Sequence, residues 1–191
     1  MKRILHGGKQ TLRMKIIECP RDAMQGIKDY IPADKKANYI NQLLKVGYDT
    51  IDFGSFVSPK AIPQMADTAE VLSKLDLSST NTKLLSIVAN PRGARRACEH
   101  QEIDYLGFPF SVSETFQKRN TNSSISESMY KIEEIQGLCK KNNKTLVVYL
   151  SMAFGNPYGD ECNAEIVTEL GQKIIDKANV EILSLSDTIG V

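Results

Sequence analysis

Short apolar or β-branched runs recur along the chain, and each is followed by a longer segment in which apolar residues return at helical spacing. Runs this short, bounded by polar residues, are typical of buried strands. They predict six strands, over residues 15–19, 50–53, 84–88, 103–108, 146–150 and 181–185. The pattern therefore alternates strand and connecting segment from one end of the chain to the other.

The connecting segments carry the signature of helices. Their periodicity predicts helices over residues 35–46, 65–75, 94–100, 126–140 and 164–178. Ser124 and Glu127 are capping residues at the start of the fourth segment. Alternating strands and helices indicate a parallel β/α architecture, because parallel neighbours need a crossover connection. No linker interrupts the pattern, so we predict one unit over residues 14–191, preceded by an N-terminal extension at residues 1–13.

Two parallel architectures compete, an open doubly wound sheet and a closed barrel. A dinucleotide-binding sheet would carry G-x-G-x-x-G after its first strand, and here that position reads CPRDAMQG. Polar residues instead follow five of the six strands: Arg21, Asp22, Ser55, Asn90, Ser113, Glu114 and Asp187. Functional groups that converge from many strand ends are typical of a (β/α)₈ TIM barrel. We therefore predict that barrel, with about six of its strands in this chain.

Composition narrows the range of partners. The chain has 191 residues, is 41% hydrophobic and 25% charged, and has a formal net charge of +1. This balance is typical of a soluble globular protein and gives no basis for nucleic acid or an anionic membrane as the main partner. The N-terminal stretch MKRILHGGKQTLRMK lacks the apolar segment of a secretory signal, so we expect a cytoplasmic protein.

Cysteine and histidine usage limits the possible metal chemistry. The four cysteines form no C-x-x-C pair and are predicted to be free thiols: Cys19, Cys98, Cys139 and Cys162. The two histidines, His6 and His100, are far apart in the sequence. A metal site in this chain would therefore depend on oxygen ligands, which suits hard cations such as Mg²⁺ or Mn²⁺.

Arg21 and Asp22 are the first candidates for chemistry. Adjacent charges in a loop are commonly a solvated pair of little consequence. At the end of a barrel strand, however, Asp22 could hold a divalent cation and Arg21 could stabilise an enolate or carboxylate. Asp52 lies inside the second predicted strand, where a buried carboxylate requires a partner, and Arg21 on the adjacent strand is the natural one.

Several stretches together resemble one family, the 3-hydroxy-3-methylglutaryl-CoA lyases. IECPRDAMQ is similar to the signature after that family's first strand, and DFGSFVSPKAIPQMAD is similar to the segment at its second. SVSETFQKRNTNSSISES, YLSMAFGNPYGDE and SLSDTIGV match the loops after its fourth, fifth and sixth strands, in order. The resemblance runs from about Met14 to Val191. Its most specific parts are SFVSPK, PQM and the SET-F-K-N run.

The resemblance implies a metal-dependent TIM barrel that cleaves hydroxymethylglutaryl-CoA to acetyl-CoA and acetoacetate. It implies that Asp22 is a metal ligand and that Arg21 stabilises the enolate. Asp52 stands where the family has a glutamate, and Asp187 takes the polar position after the sixth strand. Ser113, Lys118 and Asn120 match the loop that holds the acyl-CoA. We also expect a homodimer.

The family's His-x-His metal pair on the seventh strand, its eighth strand and its lid cysteine have no counterpart in these 191 residues. We therefore expect no lyase activity from this sequence as written, and expect activity if a C-terminal part with those ligands exists beyond Val191. Two alternatives remain open. One is a related Claisen synthase, similar to isopropylmalate or homocitrate synthases, although SFVSPK argues against it. The other is a non-catalytic fragment of a barrel.

Overall fold

The computed structural model describes residues 14–190, which contain one parallel sheet with its strands in sequence order. The strands are β1 (Ile17–Glu18), β2 (Thr50–Ser55), β3 (Lys83–Ile87), β4 (Tyr105–Ser111), β5 (Thr145–Ser151) and β6 (Ile182–Ser186). A doubly wound sheet reverses its strand order at a switch point, and this sheet does not. The six strands form a curled half-barrel, which confirms the predicted partial (β/α)₈ barrel.

Two kinds of helix surround the sheet. Successive strands are connected by α2 (Ala33–Leu44), α3 (Thr68–Ser73), α4 (Pro91–Cys98), α6 (Ile125–Lys141) and α7 (Ala164–Ala178). Two further short helices lie directly after β1 and β4, namely α1 (Pro20–Gln25) and α5 (Glu114–Thr121). The helix predicted at 65–75 is instead a 3₁₀ turn (Pro63–Met65) followed by α3. Every helix within residues 14–190 is too short or too polar to cross a membrane.

The main core lies between the sheet and the helices that cover it. Alternate side chains of each strand, such as Leu84 on β3 and Leu106 on β4, pack outward against Ile40 of α2 and Ile132 and Ile135 of α6, and all are buried. Burial of each such side chain stabilises the fold by about 1.5–3 kcal/mol relative to exposure. This layer fixes the helices on one side of the sheet, so the opposite side becomes the inner face of the half-barrel.

The inner face has a smaller apolar cluster. Leu85 and Ile87 of β3 and Val147 of β5 are buried there, with Tyr105 and Tyr149 packed beside them. The alternation along β3, with Leu84 outward and Leu85 inward, shows the two faces directly. The carboxyl ends of all six strands meet at one rim of this inner face, because the strands are parallel.

The sheet ends at two strands that each have one neighbour. Among residues 14–190, β1 pairs with β2 alone and β6 with β5 alone. Apolar side chains at these edges are exposed, including Ile16 and Ile17 beside β1 and Ile182 and Leu185 in β6. The predicted first strand, residues 15–19, is shortened to Ile17–Glu18, because Pro20 begins α1 soon after it.

Candidate active site

Arg21 and Asp52 form the centre of the site. Asp52 lies within β2 and is 1% exposed, whereas the Arg21 side chain, on α1, is 12% exposed. Arg21 Nε donates to both carboxylate oxygens of Asp52, at 3.2 and 3.1 Å, and Nη2 donates to Oδ2 at 2.7 Å. The predicted pairing of these two residues is confirmed. Its geometry fixes the plane of the guanidinium as well as its position.

A bulge in β2 sets the position of Asp52. The register with β3 shifts between Asp52, which pairs with Leu85, and Gly54, which pairs with Ser86. Leu85 belongs to the inner face, so Asp52 points into the half-barrel and away from the helices. The residue without a partner in this shift is Phe53. A Cβ on Gly54, the next residue, would lie 2.5 Å from the side chain of Thr68, so glycine at this position allows α3 to pack closely against β2.

Asp22 extends the pair towards solvent. Arg21 Nη1 donates to Asp22 Oδ1 at 3.0 Å and to Gln25 Oε1 at 3.0 Å. The Asp22 side chain is 70% exposed, so its carboxylate is accessible from the rim. The Arg21 guanidinium therefore links the buried carboxylate of Asp52 to the exposed carboxylate of Asp22, and hydrogen bonds fix it at Nε, Nη1 and Nη2.

The electrostatics of this cluster follow from burial and from the ion pair. Burial raises the pKa of Asp52, and the nearby positive charge of Arg21 opposes that rise. Burial lowers the pKa of Arg21, but the charge and hydrogen bonds of Asp52 outweigh this, so the pKa of Arg21 is raised overall. Arg21 is therefore a permanent cation. Desolvation, with Asp52 second, raises the pKa of the neighbouring Cys19 thiol to about 11.

Tyr149 belongs to this site although sequence reasoning missed it. It lies on β5, and burial followed by the charge of Asp52 raises the pKa of its hydroxyl. Because β5 is three strands away from β2, this coupling reflects the curl of the sheet. The signal in the sequence was the alternation in β5, which places Tyr149 on the same face as Val147.

The residues described here do not form a complete metal site. Asp22 offers an exposed oxygen ligand, which suits a hard cation. Within residues 14–190, however, no three His, Cys, Asp or Glu side chains come together as a group that could hold an ion. His100 instead packs beside the Phe56 ring, and His6 lies outside the described residues. The predicted role of Asp22 as a metal ligand therefore stays a prediction.

The three residues predicted to hold the acyl-CoA belong to the start and body of α5. Ser113 is fully buried and begins the helix: its Oγ accepts from Phe116 N at 3.1 Å. Lys118 is exposed and forms an ion pair with Glu114 at 3.0 Å, and Asn120 is also exposed. Lys118 and Asn120 are therefore accessible to a ligand, whereas Ser113 is occupied within the protein.

Asp187 stands at the same rim, directly after β6. It is exposed, and its Oδ1 accepts from Gly190 N at 2.9 Å. The adjacent Thr188 Oγ1 accepts from Met152 N at 2.8 Å, which ties this loop to the one after β5. The structure thus brings Arg21, Asp22 and Asp52 into one cluster. Asp187 lies after β6, and Ser113, Lys118 and Asn120 lie after β4.

The cysteines are not arranged as nucleophiles. All four have free thiols, as predicted. Burial raises the pKa of Cys139 to about 12, and burial also raises the pKa of Cys98. Cys162 Sγ donates to the carbonyl of Met152 at 3.3 Å. A thiolate nucleophile is therefore not favoured at Cys19, Cys98 or Cys139 near neutral pH.

Comparison with known proteins matches residues 13–191 to the HMGL-like family. The cytoplasmic 3-hydroxy-3-methylglutaryl-CoA lyase of Rattus norvegicus is 36% identical over 179 residues, which are 93% of this chain and 51% of the relative. The HMG-CoA lyase structure from Bacillus subtilis matches with a TM-score of 0.86 and 34% identity, over 93% of this chain and 59% of that one.

A second solved structure holds ligands. The HMG-CoA lyase from Acinetobacter baumannii, in complex with coenzyme A and 3-methylmalate, matches with a TM-score of 0.85 and 29% identity. The match covers 92% of this chain and 57% of that structure. The chain thus spans between about half and three fifths of the length of these relatives.

Proposed function

The chain belongs to the HMGL-like family, and we propose that the protein carrying it cleaves 3-hydroxy-3-methylglutaryl-CoA to acetyl-CoA and acetoacetate. The observation that supports this most directly is the arrangement of Arg21. A permanent cation is held in a fixed plane by a buried carboxylate and lies next to an exposed carboxylate at the rim. That arrangement suits a reaction in which negative charge develops on an enolate oxygen.

The reaction breaks one carbon–carbon bond of the substrate. The tertiary hydroxyl loses its proton as its carbon becomes the ketone of acetoacetate. The bonding electron pair moves to the carbon next to the thioester and gives the enolate of acetyl-CoA, which then takes up a proton. In our proposal, Arg21 donates hydrogen bonds to the developing enolate oxygen, and Asp52 keeps the guanidinium in the required plane.

Asp22 and a divalent cation form the second part of the proposal. When bound, Mg²⁺ or Mn²⁺ would acidify the substrate hydroxyl. Asp22 would supply one oxygen ligand from this chain. The ion would need ligands in addition to those that residues 14–190 provide, because these residues hold no group of three ligating side chains.

The third part concerns the acyl-CoA. The relative from Acinetobacter baumannii was solved with coenzyme A, and this chain matches it across 92% of its own length. We propose that the exposed Lys118 and Asn120 of α5 contact the acyl-CoA, and that Asp187 lines the site from the loop after β6. A homodimer and a cytoplasmic location are retained as predictions from the sequence.

The other functions considered are less well supported. A Claisen synthase would share the barrel and the Arg-Asp pair, but the rat relative and the two bacterial structures described above are HMG-CoA lyases. A non-catalytic role would leave Asp22 without a chemical purpose. Product analysis separates these cases, because a lyase releases acetoacetate, a synthase condenses acetyl-CoA with a keto acid, and a non-catalytic protein does neither.

Asp22→Asn tests the proposed site in the protein as expressed from its own gene. We expect wild-type protein to release acetoacetate from hydroxymethylglutaryl-CoA in the presence of Mg²⁺ or Mn²⁺. The variant should lose at least about a hundredfold in kcat, since a carboxylate at the reacting centre is replaced by a weaker ligand. Its melting temperature should stay close to wild type, because the side chain is largely exposed.

Asp29→Asn is the matched control, because Asp29 is exposed in the connection just after α1. It should leave turnover unchanged. Wild-type turnover by the Asp22 variant would remove Asp22 from the site. Absence of acetoacetate release by wild-type protein with either metal would remove the proposed lyase function.

A further inference from the structure

The loops after β4 and β5 are joined by one carboxylate. Asp160, in the loop after β5, accepts three hydrogen bonds at the start of α5. Ser113 Oγ donates to its Oδ2 at 2.5 Å, Thr115 N donates to Oδ2 at 2.9 Å, and Thr115 Oγ1 donates to Oδ1 at 2.9 Å. These bonds lower the pKa of Asp160, so it is ionised near neutral pH.

Hydrogen bonds within the loop after β5 hold Asp160 in position. Asn156 Oδ1 accepts from Tyr158 N at 3.0 Å and from Asp160 N at 3.2 Å, and Asn156 Nδ2 donates to the Asp160 carbonyl at 2.8 Å. Gly159, with φ of +77°, allows the chain to turn between them. Hydrogen bonds within its own loop therefore fix the backbone of Asp160, independently of its contacts with α5.

A second contact lies further along the same helix. The Arg119 guanidinium stacks over the Tyr158 ring at 4.7 Å. The Phe116 ring also stacks with Tyr158, with 6.3 Å between the ring centres. Two neighbouring turns of α5 thus contact the loop that carries Asp160. The two loops form one contiguous unit at the rim.

Few other contacts hold α5: Phe116 packs against the main core, and Glu114 Oε2 accepts from Ile125 N at 2.9 Å. Gln117 is its one fully buried residue, and it is held by polar contacts: Ser111 N donates to Oε1 at 2.6 Å, and Nε2 donates to Ser128 Oγ at 2.9 Å. A helix with few buried apolar side chains has low local stability, so its polar contacts decide where it sits. Asp160 supplies a charged acceptor for three of these contacts, all at the first turn of the helix.

We propose that Asp160 is a positioning residue for the acyl-CoA: it holds α5 so that Lys118 and Asn120 meet the ligand. This inference rests on the proposed function, since it takes the acyl-CoA contacts of α5 from it. The loop after β5 then determines substrate affinity although Asp160 itself contacts only protein. The Thr115 amide is occupied by this carboxylate and the Phe116 amide by Ser113 Oγ, so neither amide is available to a phosphate group.

Asp160→Asn is the main test, because it keeps the shape and removes the charge. Two quantities would be measured in the protein expressed from its own gene. Hydrogen exchange of residues 113–121, followed by mass spectrometry, tests whether Asp160 stabilises α5. Steady-state kinetics test whether this contact affects the binding of the acyl-CoA. We expect exchange in this segment to speed up by about tenfold and KM for hydroxymethylglutaryl-CoA to rise by about tenfold, with kcat within about twofold of wild type.

Two further variants provide a second test and a control. Thr115→Val removes one donor to Asp160 and should change exchange and KM in the same direction by less, which keeps the test valid if Asp160→Asn does not fold. Glu161→Gln changes the next residue, whose carboxylate accepts from Asn163 and not from α5, and should leave both quantities unchanged.

Each outcome decides the proposal. Unchanged exchange in both Asp160→Asn and Thr115→Val would overturn the contact, and faster exchange with unchanged KM would overturn the positioning role. If wild-type protein binds acetyl-CoA by calorimetry without cleaving the substrate, the lyase function fails separately. The dissociation constant for acetyl-CoA then replaces KM and should rise in Asp160→Asn. Wild-type protein that neither binds nor cleaves would overturn both proposals.

Discussion

At the scale of single residues, the Arg21–Asp52 pair shows how much a buried charge can constrain its partner. Moving two charges out of water costs several kcal/mol per ion, and the attraction between them recovers this only in good geometry. Here all of the contacts lie between 2.7 and 3.2 Å. Removing either partner would leave an uncompensated charge, at a cost of about 3–5 kcal/mol. The pair is therefore better regarded as a device that orients Arg21 than as a source of stability.

The Cys19 thiol reports on this charge balance. Its pKa is about 11, with desolvation as the first cause and Asp52 as the second, whereas Arg21 lowers it. Asp52→Asn removes a raising influence and leaves the lowering one, so the pKa of Cys19 should fall. At pH 8 the thiolate fraction should then be larger. We expect iodoacetamide to alkylate Cys19 several-fold faster in the variant, measured by peptide mass spectrometry on folded protein.

Cys98 provides the internal control in the same experiment, because burial raises its pKa without a contribution from Asp52. Its alkylation rate should be the same in both proteins. Equal rates at Cys19 would show that Asp52 does not set the potential around Arg21. In wild-type protein, the rate at Cys19 should keep rising as the pH approaches about 11.

Some site residues were predictable from sequence and others were not, for a physical reason. Arg21 and Asp22 are predictable because strand ends of parallel sheets converge, and this rule needs only the strand positions. Asp52 is predictable because a carboxylate inside a buried strand requires a charged partner. Tyr149 and Asp160 were missed. Tyr149 comes near Asp52 because the sheet curls, and Asp160 contacts α5 because of the path of its loop. The spacing of residues along the sequence encodes neither approach.

At the scale of elements, the long periodic segments were predicted well and the short polar ones were not. The predicted helix at 164–178 coincides with Ala164–Ala178, and the helix at 126–140 is Ile125–Lys141 with the expected Ser124–Glu127 capping box. α5, with sequence ETFQKRNT, has no apolar stripe, so periodicity gave no signal. α1 has six residues and no side-chain cap, so the sequence carries no clear signal of a helix there.

β4 depends on a glycine to fit the inner face. A Cβ on Gly107 would lie 2.6 Å from Ile87 Cδ1 and 2.9 Å from Tyr149 Cε2, so Gly107→Ala should push the tyrosine ring and the isoleucine aside. We expect the variant to lose about 1–3 kcal/mol of unfolding free energy. The measurement is chemical denaturation followed by circular dichroism.

Gly137 in α6 is the matched control, because a Cβ there would meet nothing within 4 Å. Gly137→Ala should stabilise the protein by about 0.5–1 kcal/mol, since alanine is the better helix former. If the Gly107→Ala variant is as stable as wild type, the apolar side chains of the inner face can rearrange at little cost and do not hold Tyr149 in place.

At the scale of the whole molecule, the open edges of the sheet govern solution behaviour. Within the part of the chain that the structure describes, the outer edges of β1 and β6 are unpaired and lie beside exposed apolar side chains, a combination that favours pairing with another chain. We expect the 191-residue chain on its own to self-associate, seen as species above 21.3 kDa in sedimentation velocity. Ile17→Lys together with Leu185→Lys should shift it towards monomer, because charge opposes edge pairing.

Val46→Lys is the control for that experiment. Val46 is an exposed apolar residue just after α2 and belongs to neither edge strand, so this substitution should leave the distribution unchanged. A well-behaved wild-type monomer with a cooperative melt would show that the edges are not adhesive. The same result would favour the non-catalytic interpretation of the chain.

The sequential order of the strands also has a consequence for how the chain is made. From β2 to β6, each strand pairs with the strand that precedes it in the sequence. A nascent chain leaving the ribosome can therefore add each new strand to a sheet that already exists, without waiting for distant segments. Growth of the sheet then follows the direction of translation. Arg21 and Asp52 can pair as soon as β2 has formed, before the later loops of the rim have been synthesised.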